Sequence, residues 1–466
     1  MSSFPNELYG VVAYFAVCGV VAYLTRRTRT FAEFSVGNRK IPTAMIFASL
    51  AATYIGPGFS VGFAGKGFVT GYLFFLLSLT YAVQTILVGC FFAPRLSRFR
   101  DCHTIGEVMA HQYGPFVHLL SGIVSVALCI GFTAIMGKIA GQLLHSITGW
   151  PLVVSIAIVT MSTAFLTFTG GVRAVIANDS LQFIWFSFAI PILLLCTFFN
   201  SHVSPSEMAE KAAELTRAGF AGLTGMQIVG IMVAFLLGET LIPPYANRAL
   251  AAKTESASRR GFVLAGIYCI IWLGMCTTLG IYGHQFVPAQ TAADDVFLGV
   301  GKFVFNKVMY GVLFAAVLAI IMSSQESVLN SASVALIKDI LGPHAKLKDR
   351  TELLWGRTGT IVIAAIAVVV AQYSPTIIDG LLICYSIWAP SLLLPFLLGL
   401  YLNKTKPAAG WLSMLCGGIT SILWQTVLKE PGGTPAILVG LAACAVGYFI
   451  GHIIGSSTLT RKGEII

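Results

Sequence analysis

The sequence predicts an all-α polytopic membrane protein of thirteen spans forming a single domain, and three observations carry that expectation. Of 466 residues, 56% are hydrophobic and only 10% charged, with a mean hydropathy of +0.84; a soluble domain has about 25% charged residues. Apolar runs near the ~20 residues that carry a helix across a bilayer recur thirteen times. Two of these runs are interrupted by helix-breaking residues in matching places of two halves of the chain.

The runs are 8–24, 42–64, 72–93, 116–146, 151–170, 180–200, 223–244, 260–283, 303–338, 355–373, 376–402, 408–428 and 434–455. The first has no basic residue before it and "RRTR" after it, which predicts a retained span with its N-terminus outside rather than a cleaved leader. Counting from that start, 22 of the 29 Lys and Arg fall in alternate stretches on one side, so those stretches and the C-terminus are expected in the cytoplasm. The stretch 201–225 carries Glu207, Glu210 and Glu214 at helical spacing and predicts an amphipathic surface helix, a lid or brace. No linker separates soluble domains. The chain 1–466 divides into an extra first helix (8–24), a first repeat (42–200), a second repeat (223–402) and two additional helices (408–455). Short termini without a sorting signal fit a bacterial inner membrane.

Composition also excludes function classes. The net charge of +10 comes from Lys and Arg in short loops, with no basic stripe carrying interleaved aromatics, so no nucleic-acid partner is expected. The ten Cys lie mostly in apolar runs and show no metal-ligand spacing. No phosphate-cradling loop supports ATP-driven transport, and no catalytic constellation supports an enzyme. The lipid bilayer, a small solute and an ion are the expected partners, with no obligate protein partner and no cofactor.

The interruptions point to the site. The stretch "ATYIGPGFSVGF" puts Gly56, Pro57 and Gly58 halfway along the second run, and "GETLIPPYANR" puts Pro243 and Pro244 near the end of the seventh. Backbone freed at membrane depth has to face protein or a cavity, not lipid. With runs 2–6 and 7–11 as repeats, both breaks fall in the first helix of a five-span unit. An odd number of spans inverts the second unit, and paired interruptions in inverted repeats mark the binding site of a secondary transporter.

Four motifs then resemble the sodium:solute symporter family, closest in style to its proline and pantothenate branches: "AEFSVGNRKIP", "GGVRAVIANDSLQ", "NRALAAKTESASRRG" and "SSQESVLNSAS", in the family's order over nearly the whole chain. The resemblance implies a LeuT-type fold and sodium as the coupling ion. It implies a sodium site made by the carbonyls of Ala52, Ile55 and Ile320 and the hydroxyls of Ser323 and Ser324. An unwound helix beside paired hydroxyls offers oxygens to a hard cation independently of that resemblance; paired serines also serve as packing residues that bond the preceding turn. A second cation site in some members uses an Asp matching Asp179, with serines one turn beyond the pair. Here those positions hold Glu326 and Ser327, so a second sodium and a shared proton remain alternatives.

The substrate positions implied are Tyr54, Gly56, Phe59, Phe74 and Ser78, joined by the intramembrane charges Lys138 and Glu239. Lys138 and Glu239 either grip the carboxylate and ammonium of an amino acid or pair with each other. Tyr245 is a candidate inner gate or a packing residue. The expected function is sodium-coupled import of a small organic solute, an amino acid or other carboxylate-bearing metabolite, by alternating access. Proton-coupled symport and a substrate-sensing receptor of the same fold are the alternatives, with a channel third.

Overall fold

The structure is a computed structural model, and it describes residues 7–25, 28–345, 348–374, 377–455 and 459–460. Of the basic residues used to orient the chain, Arg26, Arg27, Lys346, Arg461 and Lys462 lie outside them. The chain is almost wholly helical. Among the described residues, eight helices are long and apolar enough to cross a membrane, or up to ten if each of two bent pairs is one span. Phe188, Phe199 and Ile453 are among the many large apolar side chains left outside the bundle, as a lipid-facing surface requires.

The helix Lys307–Leu341 is the axis of the bundle. Of its most apolar window 78% is buried, against 28% for Ala436–Ile454 at the periphery. That enclosure explains how it carries Ser323, Ser324, Gln325, Glu326, Ser327 and Asn330 in its interior, all buried inside protein.

The first interruption is a break. Thr43–Tyr54 and Gly58–Thr70 meet at 58°, joined by Ile55, Gly56 and Pro57. Pro57 has no N–H to return to the preceding turn. Gly56 is required by proximity: a Cβ there would stand 2.8 Å from the Ser324 hydroxyl.

The second interruption differs from the sequence expectation. The seventh run is not one helix to residue 244. Gly225–Leu237 ends early, residues 238–242 form an unwound turn with Leu241 at φ +50°, and Pro243 and Pro244 begin a new helix, Pro243–Ala251. Proline suits the first turn of a helix, where no N–H is needed. The two broken helices are tied at the ends remote from their breaks: the Ile41 N–H bonds the Ala251 carbonyl (3.3 Å) and the Lys253 N–H bonds the Ile41 carbonyl (2.9 Å).

The fifth and sixth runs also join differently. They lie in Leu152–Phe199, whose 48 residues as a straight rod would be about 72 Å long, far beyond the ~30 Å of a bilayer core. It folds at Gly171, with φ +58° and ψ −150°. The helix resumes at once, so Asp179 and Gln182 lie inside it and not at its mouth. The expected surface helix is Pro205–Ala221, with Glu207, Glu210 and Glu214 exposed and Ser204 and Glu207 forming a capping box.

A Cβ at Gly171 would meet the Phe34 carbonyl oxygen at 2.5 Å in a conformation closed to other residues. Gly171→Ala should therefore lose about 1–3 kcal/mol of stability. The check is its melting temperature in detergent beside that of Gly170→Ala, one residue earlier, which should fall less.

Candidate functional site

An oxygen cluster lies where the first break meets the axial helix. Helical periodicity puts Ser323 and Ser324 one turn after Ile320, facing the carbonyls freed by Gly56 and Pro57. The Ser323 hydroxyl donates to the carbonyls of Ile320 (3.0 Å) and Ala52 (3.3 Å). The Ser324 hydroxyl faces the carbonyls of Ile320 and Thr53, both at 3.4 Å. The Ile55 carbonyl accepts from the Ser60 hydroxyl at 2.6 Å. Oxygens 2.3–2.6 Å from a hard cation stand about 3.3–3.7 Å apart at neighbouring octahedral corners, so the long contacts suit an ion and are weak hydrogen bonds. The structure thus gathers Ala52, Ile320, Ser323 and Ser324, with Thr53 in addition, while the Ile55 carbonyl is taken by Ser60.

One turn along the axial helix is a buried charge cluster. The Asp179 carboxylate accepts from the Ser49 hydroxyl (2.5 Å), the Arg248 guanidinium (3.1 Å) and the Ser327 hydroxyl (3.4 Å). Arg248 also bonds Ser49 (3.1 Å), the Pro244 carbonyl (3.3 Å) and Ser327. Glu326 accepts from the Asn178 amide at 3.1 Å, and its other oxygen has no partner among the described residues. Asp179, Glu326 and Ser327 are therefore together, with a fourth member that sequence reasoning counted only as a loop charge. Its position two residues into "NRALAAK", four after Pro244, is the signal: a helix starting at the break carries it back into the core. Asp179 and Arg248 are both fully buried, and removing one partner of such a pair costs about 3–5 kcal/mol.

Between the two breaks lies a nearly closed cavity of ≈ 20 Å³, lined by Gly56, Phe59, Phe132, Glu239, Pro244 and Tyr245 among others. Glu239 stands in the unwound turn 238–242. Its carboxylate accepts hydroxyls from Tyr81 (2.5 Å), Tyr245 (2.7 Å) and Tyr385. The Tyr54 ring stacks on Tyr245 with centroids 3.9 Å apart, and Phe59 stacks on Tyr81 at 4.2 Å. Of the sequence-derived substrate residues, Gly56, Phe59 and Glu239 reach the wall, and so does Tyr245. Tyr54 backs it as a ring. Ser78 bonds the Phe75 carbonyl (2.9 Å) in its own helix, and Phe74 lies under the Lys66 ammonium at 4.5 Å. Lys138 donates to the Ser374 carbonyl, so the suggested Lys138–Glu239 pair is not formed. Tyr81 and Tyr385 were missed because nothing local marks them; the chain brings them to Glu239 from 158 and 146 residues away.

A second small polar pocket lies across the Pro243–Ala251 helix. His103, Thr104, Ser125, Asn247 and Asp339 line it. Asp339 accepts from Thr104 (2.5 Å) and His118 (2.9 Å). Cβ atoms at Gly106 and Gly122 would come within 2.4 Å of its side chain, so these glycines make room for it. The neighbouring short helix Ile105–Tyr113 starts at Thr104 and holds Glu107, whose carboxylate accepts the His103 N–H at 2.5 Å. Burial pushes Glu107 up to about 7 and His103 down to about 3.

A bundle of membrane-length helices with two unwound helices meeting at its centre, and with the charged and aromatic groups gathered at the breaks, is the architecture of a secondary carrier. Residues 34–417 match the family model described as the sodium:solute symporter family, and the chain belongs to that family. It is a multi-pass membrane protein and a sodium-coupled symporter. It is 27% identical over 458 residues to a sodium/pantothenate symporter of Haemophilus influenzae, covering 93% of each chain. It is 25% identical over 434 residues to a high-affinity proline transporter of Bacillus subtilis, covering 87% of this chain and 89% of that one. Among solved structures, a substrate-bound, outward-open Na+-coupled sialic acid symporter superposes with a TM-score of 0.81 at 17% identity, over 96% of this chain and 97% of that one. A second, MhsT with bound L-phenylalanine, gives 0.58 at 14% identity, over 88% and 97%.

Glu107 supplies a pH test. Its folded-state value lies above that of an unfolded carboxyl, so between about pH 4.5 and 7 the folded protein holds a proton that the unfolded chain has lost, and stability falls as pH rises. Glu107→Gln removes that loss. Its melting temperature should climb relative to the parent protein between pH 5 and 8; a difference independent of pH would refute the assignment.

Proposed function

We propose that the carrier imports a small organic nitrogenous or carboxylate-bearing solute, with sodium held at the oxygen cluster of the first break. The observation that carries this reading is the set of long hydroxyl-to-carbonyl contacts made by Ser323 and Ser324. In them the carbonyls of Ala52, Thr53 and Ile320 and the two hydroxyls meet where a helix has been opened, and the Ile55 carbonyl is the further oxygen proposed for the ion. Sodium bound there would draw the first broken helix against the axial helix. The bundle then rocks between an outward-open and an inward-open form, with the solute bound beside Gly56, Phe59, Glu239 and Tyr245.

The architecture proposed is of LeuT type with thirteen spans. The eight long helices, the folding of Leu152–Phe199 at Gly171, the two broken pairs, Glu7–Thr25 and Pro407–Thr426 together support that number. Five-helix repeats at 42–200 and 223–402, an extra first helix and two additional last helices account for it. The N-terminus is assigned outside and the C-terminus inside, in a bacterial inner membrane.

A proton reading applies to the charge cluster. Asp179 and Glu326 supply two carboxylates against one guanidinium, so one further positive charge neutralises the group: a second sodium or a proton on Glu326. The unpartnered oxygen of Glu326 supports this reading, because Arg248 is tied to Asp179 and Ser327.

Purified protein should melt at higher temperature in NaCl than in KCl, because an ion that binds only the folded state stabilises it. Ser324→Ala should raise the half-saturating sodium concentration at least tenfold. An unchanged value would remove the hydroxyl from the site. In proteoliposomes Glu326→Gln, which keeps the shape and loses the charge, should flatten the pH dependence of sodium-driven L-proline uptake between pH 5.5 and 8. A retained pH profile would dismiss Glu326 as the proton carrier.

A further inference from the structure

The geometry points to a protonated amine as the group of the solute that this carrier recognises, with Glu239 as its counter-ion and no cationic side chain set against a carboxylate. This inference rests on the reading of the Glu239 cavity as the solute site.

The first argument is charge. Glu239 lies on the cavity wall, and none of the residues lining that cavity is Lys, Arg or His. The intramembrane cations that could answer it are engaged elsewhere: Arg248 with Asp179, Lys138 with the Ser374 carbonyl. Hydroxyls from Tyr81, Tyr245 and Tyr385 solvate the carboxylate but bring no charge. A buried carboxylate without a cation is costly, and a cationic ligand is the partner that removes the cost.

The second argument is valence. An ionised carboxylate offers about four lone-pair sites, and three are taken by the tyrosine hydroxyls. One acceptor position remains, which suits an N–H donor and gives a quaternary ammonium nothing to bond. The third is the wall. Stacked pairs Tyr54–Tyr245 and Phe59–Tyr81 stand beside the carboxylate, and aromatic faces attract ammonium groups. No cationic side chain stands in the same wall to pair with an anion. The cavity of ≈ 20 Å³ admits a head group of about the size of one water, the bulk of the solute requiring the opening that transport itself provides.

The test uses three probes on one ring skeleton: L-proline, pyrrolidine, which has the ammonium alone, and cyclopentanecarboxylate, which has the carboxylate alone; pantothenate is a fourth, anionic without an amine. Melting temperatures of the purified full chain are measured in NaCl and in KCl. L-Proline and pyrrolidine should stabilise it, more in NaCl, while cyclopentanecarboxylate and pantothenate should not. Glu239→Gln should weaken apparent pyrrolidine affinity at least tenfold in protein that still gives a sodium-dependent shift. If Glu239→Gln does not fold, Glu239→Asp keeps the charge withdrawn by one methylene, and a weaker pyrrolidine response with an intact sodium response is expected. Stabilisation by pantothenate or cyclopentanecarboxylate overturns the inference. So does the absence of a pyrrolidine response, or an undiminished one in Glu239→Gln, in protein that still responds to sodium. Loss of the sodium response in the unmodified protein would instead strike the ion site, a different failure.

Discussion

A carbonyl freed inside a bilayer has to be given a partner, and the rest of this structure follows from how that is done. Gly56 and Pro57 open one helix and residues 238–242 open another, each exposing backbone oxygens where no water can bond them. The first break finds its partners on the axial helix Lys307–Leu341, which is why so apolar a bundle has so polar a centre, and in the second the Thr240 carbonyl accepts from the Trp388 indole N–H at 3.2 Å. Ser323 and Ser324 answer the first break, and Ser327 and Asn330 continue the polar stripe along the same helix. Gly56 is part of the same solution, because any side chain there would push Ser324 away.

How much of this was legible in the sequence depended on the reach of each signal. Gly-Pro-Gly within an apolar run is a local contradiction, so the first break could be read directly, and the paired serines could be matched to it through the resemblance. The second break was located by its prolines and placed slightly wrong. Proline was taken to end a helix, whereas Pro243 and Pro244 start one, and the unwound turn precedes them. The boundary in Leu152–Phe199 was misjudged for a related reason: the runs 151–170 and 180–200 left residues 171–179 between them as a connection, but the chain turns at a single glycine and becomes helical again at once.

Arg248 shows a different limit. An arginine beside a membrane span is evidence of orientation when counted in bulk, and the count is blind to one that turns inward. Its role depends on Asp179, 69 residues earlier, and on Ser327, 79 later. The same holds for Tyr81 and Tyr385 around Glu239. Aromatic residues are common in membrane helices, and only the folded bundle distinguishes the few whose hydroxyls meet one carboxylate. Lys138 was the converse case, an intramembrane charge that suggested a ligand contact and turned out to hold a neighbouring backbone carbonyl.

The two anionic places in the core are also unequal. Asp179 has its cation built into the chain, which leaves Glu326 as the unmatched carboxylate of that cluster. Glu239 has none. Between them runs the opened turn of the first broken helix, whose consecutive carbonyls face different ways: Ala52 and Thr53 toward Ser323 and Ser324, Tyr54 toward the Tyr81 hydroxyl at 3.2 Å. Tyr81 also donates to Glu239. An ion that draws in the Ala52 carbonyl orders the turn that presents Tyr54, and Tyr54 competes with Glu239 for one hydroxyl. Fixing that turn therefore changes how fully Glu239 is solvated by tyrosines, and with it the affinity for whatever brings the missing charge. By linkage, a solute that favours one arrangement of Tyr81 must change ion affinity by the same factor. With sodium and solute at the proposed sites, coupling would need no path longer than three consecutive residues of an opened helix.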